Sequence, residues 1–236
     1  MTGKWLHSIA YTMSSETIVI DDNIQMERDN QSYIQIKTYR ISQELEQVIH
    51  ENLNTIFAKS ERPGIVPLVY TILKELGINA CKANQKRVFF EEKGYDILNP
   101  EDYSKGIKEY KASFSEAMGI EYGPKSKDKG YSCIIRFEYN NGGITISVTN
   151  NTPITKQEEK SIREKLAKAM GYDDLAMFYM DNADNTEGAG LGLALIIIML
   201  KGEGIDPNYF RISISGETTT ARLEIPLSAE FKSKRS

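Results

Sequence analysis

Cysteine is scarce. Cys81 and Cys133 are the two in 236 residues, far apart and without Cys-x-x-Cys spacing. That pattern excludes a disulfide framework or a thiolate zinc cluster and fits a reducing compartment. Charge of one sign is lacking as well. The formal net charge of -4 is too mild to point to nucleic acid or to an anionic membrane surface. The basic end, Lys232, Lys234 and Arg235, reads as a solvated tail. Long apolar runs are missing: the longest, from Leu191 to Leu200 around Gly192, is about half the roughly 20 residues of a bilayer span. After Lys4, His7 and Ser8 break the first apolar stretch, so no signal peptide is expected. The expected location is the cytoplasm, with neither nucleic acid nor membrane as a partner.

What remains is an ordinary globular composition, 40% hydrophobic and 26% charged, which can bury a core without crosslinks. The length lies between one large domain and two small ones at roughly 150 residues each.

Hydrophobic periodicity sketches the elements. Strands are predicted at 17–20 and 33–39, with Asp21, Asp22 and Asn23 punctuating between them. Helical spacing follows from Ser42, a plausible N-cap, to about Lys59. Arg62-Pro63-Gly64 breaks that helix, and a second helix with Pro67 in its first turn is predicted to about Asn84. Asn99-Pro100 starts a third, whose stripe of Tyr103, Ile107, Tyr110, Phe114 and Met118 is expected to pack on the domain body. Residues 125–130 read as an exposed loop. Strands at 132–139 and 144–149 flank Asn140-Asn141-Gly142-Gly143, a hairpin turn. Thr155 and Glu158 make a capping box for a helix ended by Gly171, residues 172–187 read as irregular, and a helix covers 190–201. A closing hairpin, 210–215 and 219–227, turns at Gly216. Helices and antiparallel strands in this order make an α+β layer, a sheet with helices on one face.

Two features carry chemistry. At about 100° per residue, Glu75, Asn79 and Lys82 share an arc of about 60° beside the apolar stripe of the second helix. Taken alone, that arc is a solvated polar face. The second feature is Glu187-Gly188-Ala189-Gly190-Leu191-Gly192-Leu193, whose alternate glycines let backbone N–H groups approach an anion at a helix N-terminus. It is neither a P-loop, since no Gly-Lys-Ser/Thr follows, nor the dinucleotide fingerprint.

Order and spacing join the two. Glu75-Leu76-Gly77-Ile78-Asn79-Ala80-Cys81-Lys82 resembles the Glu-Leu-x-x-Asn-Ala-x-Lys helix of the GHKL ATPases, the histidine-kinase, gyrase and heat-shock-chaperone family. Gly188-Ala189-Gly190-Leu191-Gly192-Leu193 resembles its glycine loop, and the hairpin through Thr220 and Pro226 its last strands. The closest motifs are those of sensor histidine kinases. The resemblance implies a two-layer α/β sandwich of the Bergerat type with a mixed, mostly antiparallel sheet. It implies ATP and Mg²⁺ as cofactors, Asn79 as the Mg²⁺ ligand and Glu75 as the catalytic base. Lys82, Gly188, Gly190, Leu191 and Gly192 would lie on the phosphates, Asn150 and Thr220 in the base pocket, and residues 161–187 would form a lid.

The ATP-binding domain would span 63–228, with an inserted helical segment at about 88–130. Residues 1–62 would be packed on it or part of it, and 229–236 would be a tail. Where the family has Asp-x-Gly-x-Gly, this chain has Asn150-Asn151-Thr152-Pro153-Ile154. Strand parity points Asn150 inward and Asn151 away. An amide can flip, so poor adenine-over-guanine discrimination is expected, with Asn150→Asp restoring it.

His50-Glu51 lies too near Glu75 for a separate phosphoacceptor hairpin and reads as a polar helix position. The implied function is therefore signalling, with a partner protein phosphorylated or switched in trans. The partner would be a regulator, a phosphoacceptor protein or a second copy of the chain. The alternative is a non-catalytic nucleotide-sensing or protein-interaction module with a degenerate adenine pocket.

Overall fold

Alternation builds the sheet. In β2 (Ile24–Arg28) the side chains of Ile24 and Met26 are buried and Gln25 is exposed. In β3 (Tyr33–Thr38) Ile34 and Ile36 are buried, and in β4 (Cys133–Tyr139) Cys133, Ile135 and Phe137. β5 (Gly143–Asn150) continues the pattern through Ile144, Ile146, Val148 and Asn150. With β1 (Glu16–Asp21), β6 (Phe210–Ser215) and β7 (Thr218–Pro226), these form a seven-stranded sheet in the order β1-β2-β3-β4-β5-β7-β6. The computed structural model describes residues 16–29, 32–58, 60–113, 115–181 and 191–234.

The protein is therefore α+β, with every neighbouring strand pair antiparallel. The expectation of a mixed sheet is corrected on this point. β6 takes the outer edge, and its hairpin sends β7 back alongside β5 in the opposite direction. β2 is an addition to the predicted strands, because only two apolar positions alternate in it. The described strands of the N-terminal region belong to the same sheet, since β3 pairs β4.

The helices cover the apolar face. α1 (Gln43–Phe57) starts where Ser42 Oγ accepts from Leu45 N at 3.3 Å and buries Leu45, Ile49, Leu53 and Phe57. A 3₁₀ turn, Pro63–Ile65, leads into α2 (Val66–Lys93), whose 28 residues make it about 42 Å long. By length and composition alone, the stretch Pro63–Lys93 would pass for a bilayer span. Here its apolar stripe (Val69, Ile72, Leu73, Leu76) lies in the core under the sheet. α2 outruns its predicted end at Asn84, because Gln85-Lys86-Arg87 hides a continuing stripe of Val88, Phe89 and Phe90. Gly94 then stops it at φ 67°.

The 88–130 segment begins as the last turns of α2 and then folds as two helices, α3 (Pro100–Ser113) and α4 (Glu116–Asp128), packed on the far end of α2. A second apolar cluster of Val88, Phe89, Phe90, Tyr110, Met118 and Tyr122 holds them there. The single helix predicted through Met118 is corrected: Ser115 Oγ accepts from Met118 N at 3.2 Å and starts a new helix. Residues 125–128, predicted as loop, are its last turn. Phe114 lies outside the described residues.

α5 (Lys156–Ala169) opens on the capping box of Thr155 and Glu158, as expected. The stretch read as irregular contains α6 (Leu175–Met180), started by Asp174, whose carboxylate accepts from Met177 N. α7 (Leu191–Gly202) is apolar on every side because it is enclosed, with Ala194, Ile196, Ile197 and Leu200 buried.

Candidate functional site

The polar arc of α2 opens onto a cavity of about 440 Å³ between α2, α5, α7 and the β5/β7 end of the sheet. Glu75, Asn79 and Lys82 line it from α2, Asn150 from β5, Gly192 from α7, and Ile162 and Lys165 from α5. Residues read separately in the sequence thus meet around one space.

Within it, Asn79 Nδ2 donates to Glu75 Oε1 at 2.9 Å, one helical turn away. The bond fixes the amide, so Asn79 Oδ1 keeps its accepting capacity. Gly192 closes against the same carboxylate: a Cβ there would overlap Glu75 Oε1, so only glycine lets α7 approach this closely. Gly188 and Gly190 lie outside the described residues, as does the side chain of Leu191.

Asn150 is inward-facing, as its parity predicted, and 5% exposed. Its Nδ2 donates to Thr152 Oγ1 at 2.6 Å and reaches Asn84 Oδ1 at 3.5 Å. Thr152 in turn donates to Asn84 Oδ1 at 2.9 Å, and Thr219 Oγ1 donates to Thr152 O at 3.0 Å. Four residues of α2, β5, β7 and the loop after β5 are tied into one buried network. Asn151 turns outward, accepting from Ser132 N and donating to Gly130 O.

Thr220 does not reach the cavity, which corrects its assignment. The register pairs Asn150 with Thr219 and Thr149 with Thr220, so the latter pair lies on the outer face, hydroxyl to hydroxyl at 2.9 Å. Thr219 and Ala221 line the cavity instead. The inward parity of Leu223 and Ile225, carried back along β7, identifies Thr219 from sequence alone.

Lys165 was not singled out either. It follows Ile162 by three positions on α5, so both share the face turned to the cavity. Burial, and then the charge of Lys111, push its ammonium below the usual lysine range. Behind this wall Glu158 bonds both Lys86 and Arg87 and completes the capping box, clamping α5 to α2.

No family model matches the sequence, and no solved structure matches it. A protein of Treponema pallidum (strain Nichols), described as an uncharacterized protein, is 30% identical over 233 residues. The match takes in 98% of this chain but 45% of that protein, so the chain spans under half the length of this relative.

Proposed function

We propose that the chain is a nucleotide-binding domain of the GHKL ATPase type, which binds Mg-ATP in the cavity beside α2 and switches or phosphorylates a partner protein. The observation that carries this reading is the meeting of Glu75, Asn79, Lys82, Asn150 and Gly192 around one space large enough for a nucleotide. Glu75, Asn79, Lys82 and Gly192 are positions at which the sequence resembles the family, and Asn150 stands where the family has Asp.

The donor set fits a magnesium ion that arrives with its nucleotide. Among the described residues no group of three His, Cys, Asp or Glu could hold a metal ion. A hard cation held by one or two protein oxygens, with phosphate and water completing the shell, needs no such group. Asn79 Oδ1 would be the protein ligand, oriented by the bond from its Nδ2 to Glu75. The bound ion would neutralise developing phosphate charge. Glu75 would orient the attacking hydroxyl or water as an acceptor. Lys82 and Lys165 line the cavity from α2 and α5 and would bear on the phosphates.

The buried network supports adenine as the base. With Nδ2 committed to Thr152 and Asn84, Asn150 retains Oδ1 as an acceptor for an exocyclic amino group. Flipping the amide to suit guanine would set Oδ1 against Asn84 Oδ1 and lose the donation to the Thr152 hydroxyl. Discrimination against guanine is therefore expected, the reverse of what the isolated residue suggests.

Calorimetric titration with ATP, ADP and GTP, with and without Mg²⁺, tests the reading. ATP should bind more tightly with Mg²⁺, and GTP more weakly than ATP. Absence of any nucleotide binding would overturn the reading and favour the alternative, a protein-interaction module. The observation on that side is the exposed apolar surface of Met177, Tyr179 and Met180 on α6.

A further inference from the structure

A second cavity, of about 510 Å³, lies where the inserted helix α4 meets α1 and α2. We propose that it binds a small molecule through an oxyanion, phosphate or carboxylate, held by Arg40 and Gln85.

Two polar side chains line this cavity with no side-chain hydrogen bond among the described residues. Gln85 is 4% exposed, yet among the described residues its amide makes no hydrogen bond. Arg40 Nε is buried and has no hydrogen-bond partner, and no carboxylate among the described residues lies within ion-pair distance of its guanidinium. Buried donors in folded proteins are nearly always satisfied, so the unsatisfied Arg40 Nε, together with an unbonded Gln85 amide lining the same space, points to a missing ligand.

The position of Arg40 is built in. Its stem packs on Gly123 of α4, where a Cβ would meet Arg40 Cδ at 3.2 Å and Cβ at 3.3 Å. Thr38 Oγ1 donates to Arg40 O at 2.7 Å and holds the backbone. The stem and backbone that carry the guanidinium are thereby fixed at the cavity wall.

The surroundings favour negative charge. α1 and α4, of 15 and 13 residues, both begin at the cavity wall, with Ser42 and Ser115 as caps. Their N-termini carry partial positive charge. Two carboxylates share the rim. Glu46 pairs with Lys74 at 2.8 Å and accepts from Tyr70 Oη at 2.8 Å. Glu44, exposed to solvent, accepts from the Ser42 hydroxyl and its own backbone N–H and is also drawn down by the charge of Arg40, which an incoming anion would compete for. A planar guanidinium fork and an amide donor lining one cavity suit the oxygens of a phosphate or carboxylate. The volume leaves room for a metabolite-sized body behind the anion.

The proposal does not depend on the nucleotide reading, because its residues lie outside the first cavity apart from Lys82, which borders both. The test is a ¹H–¹⁵N titration of the full chain with inorganic phosphate and, separately, acetate, reading the Gln85 side-chain amide assigned through Gln85→Leu. In wild type the amide signals should move saturably with at least one of the anions, and the stronger one identifies the anion class. The shift should persist in Asn79→Ala, which perturbs the first cavity, and be lost in Arg40→Met. Arg40→Lys, which keeps the charge without the fork, should weaken binding about tenfold. If the wild-type Gln85 signals stay still through 20-fold excess over ~1 mM protein in both titrations, or move equally in Arg40→Met, the inference is wrong. The wild-type arm decides the matter even if an Arg40 variant fails to fold.

Discussion

Gly192 matters through the side chain it lacks. The overlap of a Cβ with the Glu75 carboxylate leaves Gly192→Ala two outcomes: α7 moves off α2, or Glu75 turns and releases Asn79. Either should cost about 1–3 kcal/mol in denaturant unfolding, as overpacking does. Under the proposed function, nucleotide affinity should fall about tenfold as well. A variant with wild-type stability would show that the close approach is dispensable. Asn150 makes the complementary case. In Asn150→Asp, a carboxylate would face Asn84 Oδ1 and Thr152 O with no N–H to offer either. The substitution should destabilise by about 1–3 kcal/mol near neutral pH, as for a buried group left unsatisfied. Burial should also raise the pKa of the new carboxyl. The protonated form then suits the fold, so the variant should lose stability as pH rises through that raised value; equal unfolding midpoints at pH 5 and pH 8, relative to wild type, would contradict this. The inward direction of Asn150 was legible from strand parity. Its partners were not, because Asn84 lies 66 positions away and reads as helix surface.

Elements show where local pattern stops being enough. α1, α5 and the β4–β5 hairpin carry their caps and turns in their own sequence and were legible to within a few residues. α4 was not. Gly119, Gly123 and Pro124 are poor helix formers, and its stability comes from Met118 and Tyr122 packing against α2. β2 and α6 were missed for the same reason, being short elements fixed by neighbours. The clamp between α5 and α2 gives this scale its prediction. Arg87 satisfies Glu158 at 3.0 Å, so burial and the Arg87 charge together push the Lys86 ammonium down to about 7. From pH about 7 to about 10.5 the unfolded chain then holds a proton that the folded chain has given up, and stability rises with pH across that window. Lys86→Met should flatten the rise, measured by urea unfolding at pH 7 and pH 9. A rise undiminished in Lys86→Met would assign it to another group. Glu158→Ala, which removes the carboxylate from both cations and the cap, should cost about 3–5 kcal/mol.

For the whole molecule, one sheet carries the described strands from β1 to β6, and α2 runs across it with a cavity on either side of Lys82. The helix-covered sheet was legible because periods of 2 and 3.6 mark which faces are apolar. The strand order was not, since nothing local tells β7 rather than β6 to pair with β5. Under the proposed function this arrangement makes stability respond to ligand. A nucleotide at about 100 times its Kd should stabilise the native state by about 2.7 kcal/mol. For a chain of this size that is a rise in Tm of about 5–10 °C. Because Asn79 offers the protein oxygen for magnesium, the rise should be larger with Mg²⁺ than with a chelator, and Asn79→Ala should remove that difference. Glu75→Gln should keep most of the rise, since a base acts chiefly in the transition state, while any ATP turnover stops. Thermal melts of the three proteins with ATP, in Mg²⁺ and in chelator, separate these outcomes. Equal melting shifts in Mg²⁺ and in chelator for wild type, or a Mg²⁺-dependent shift surviving in Asn79→Ala, would take Asn79 out of the metal site. Turnover persisting in Glu75→Gln would leave the carboxylate with the structural task it already performs, holding the Asn79 amide at 2.9 Å.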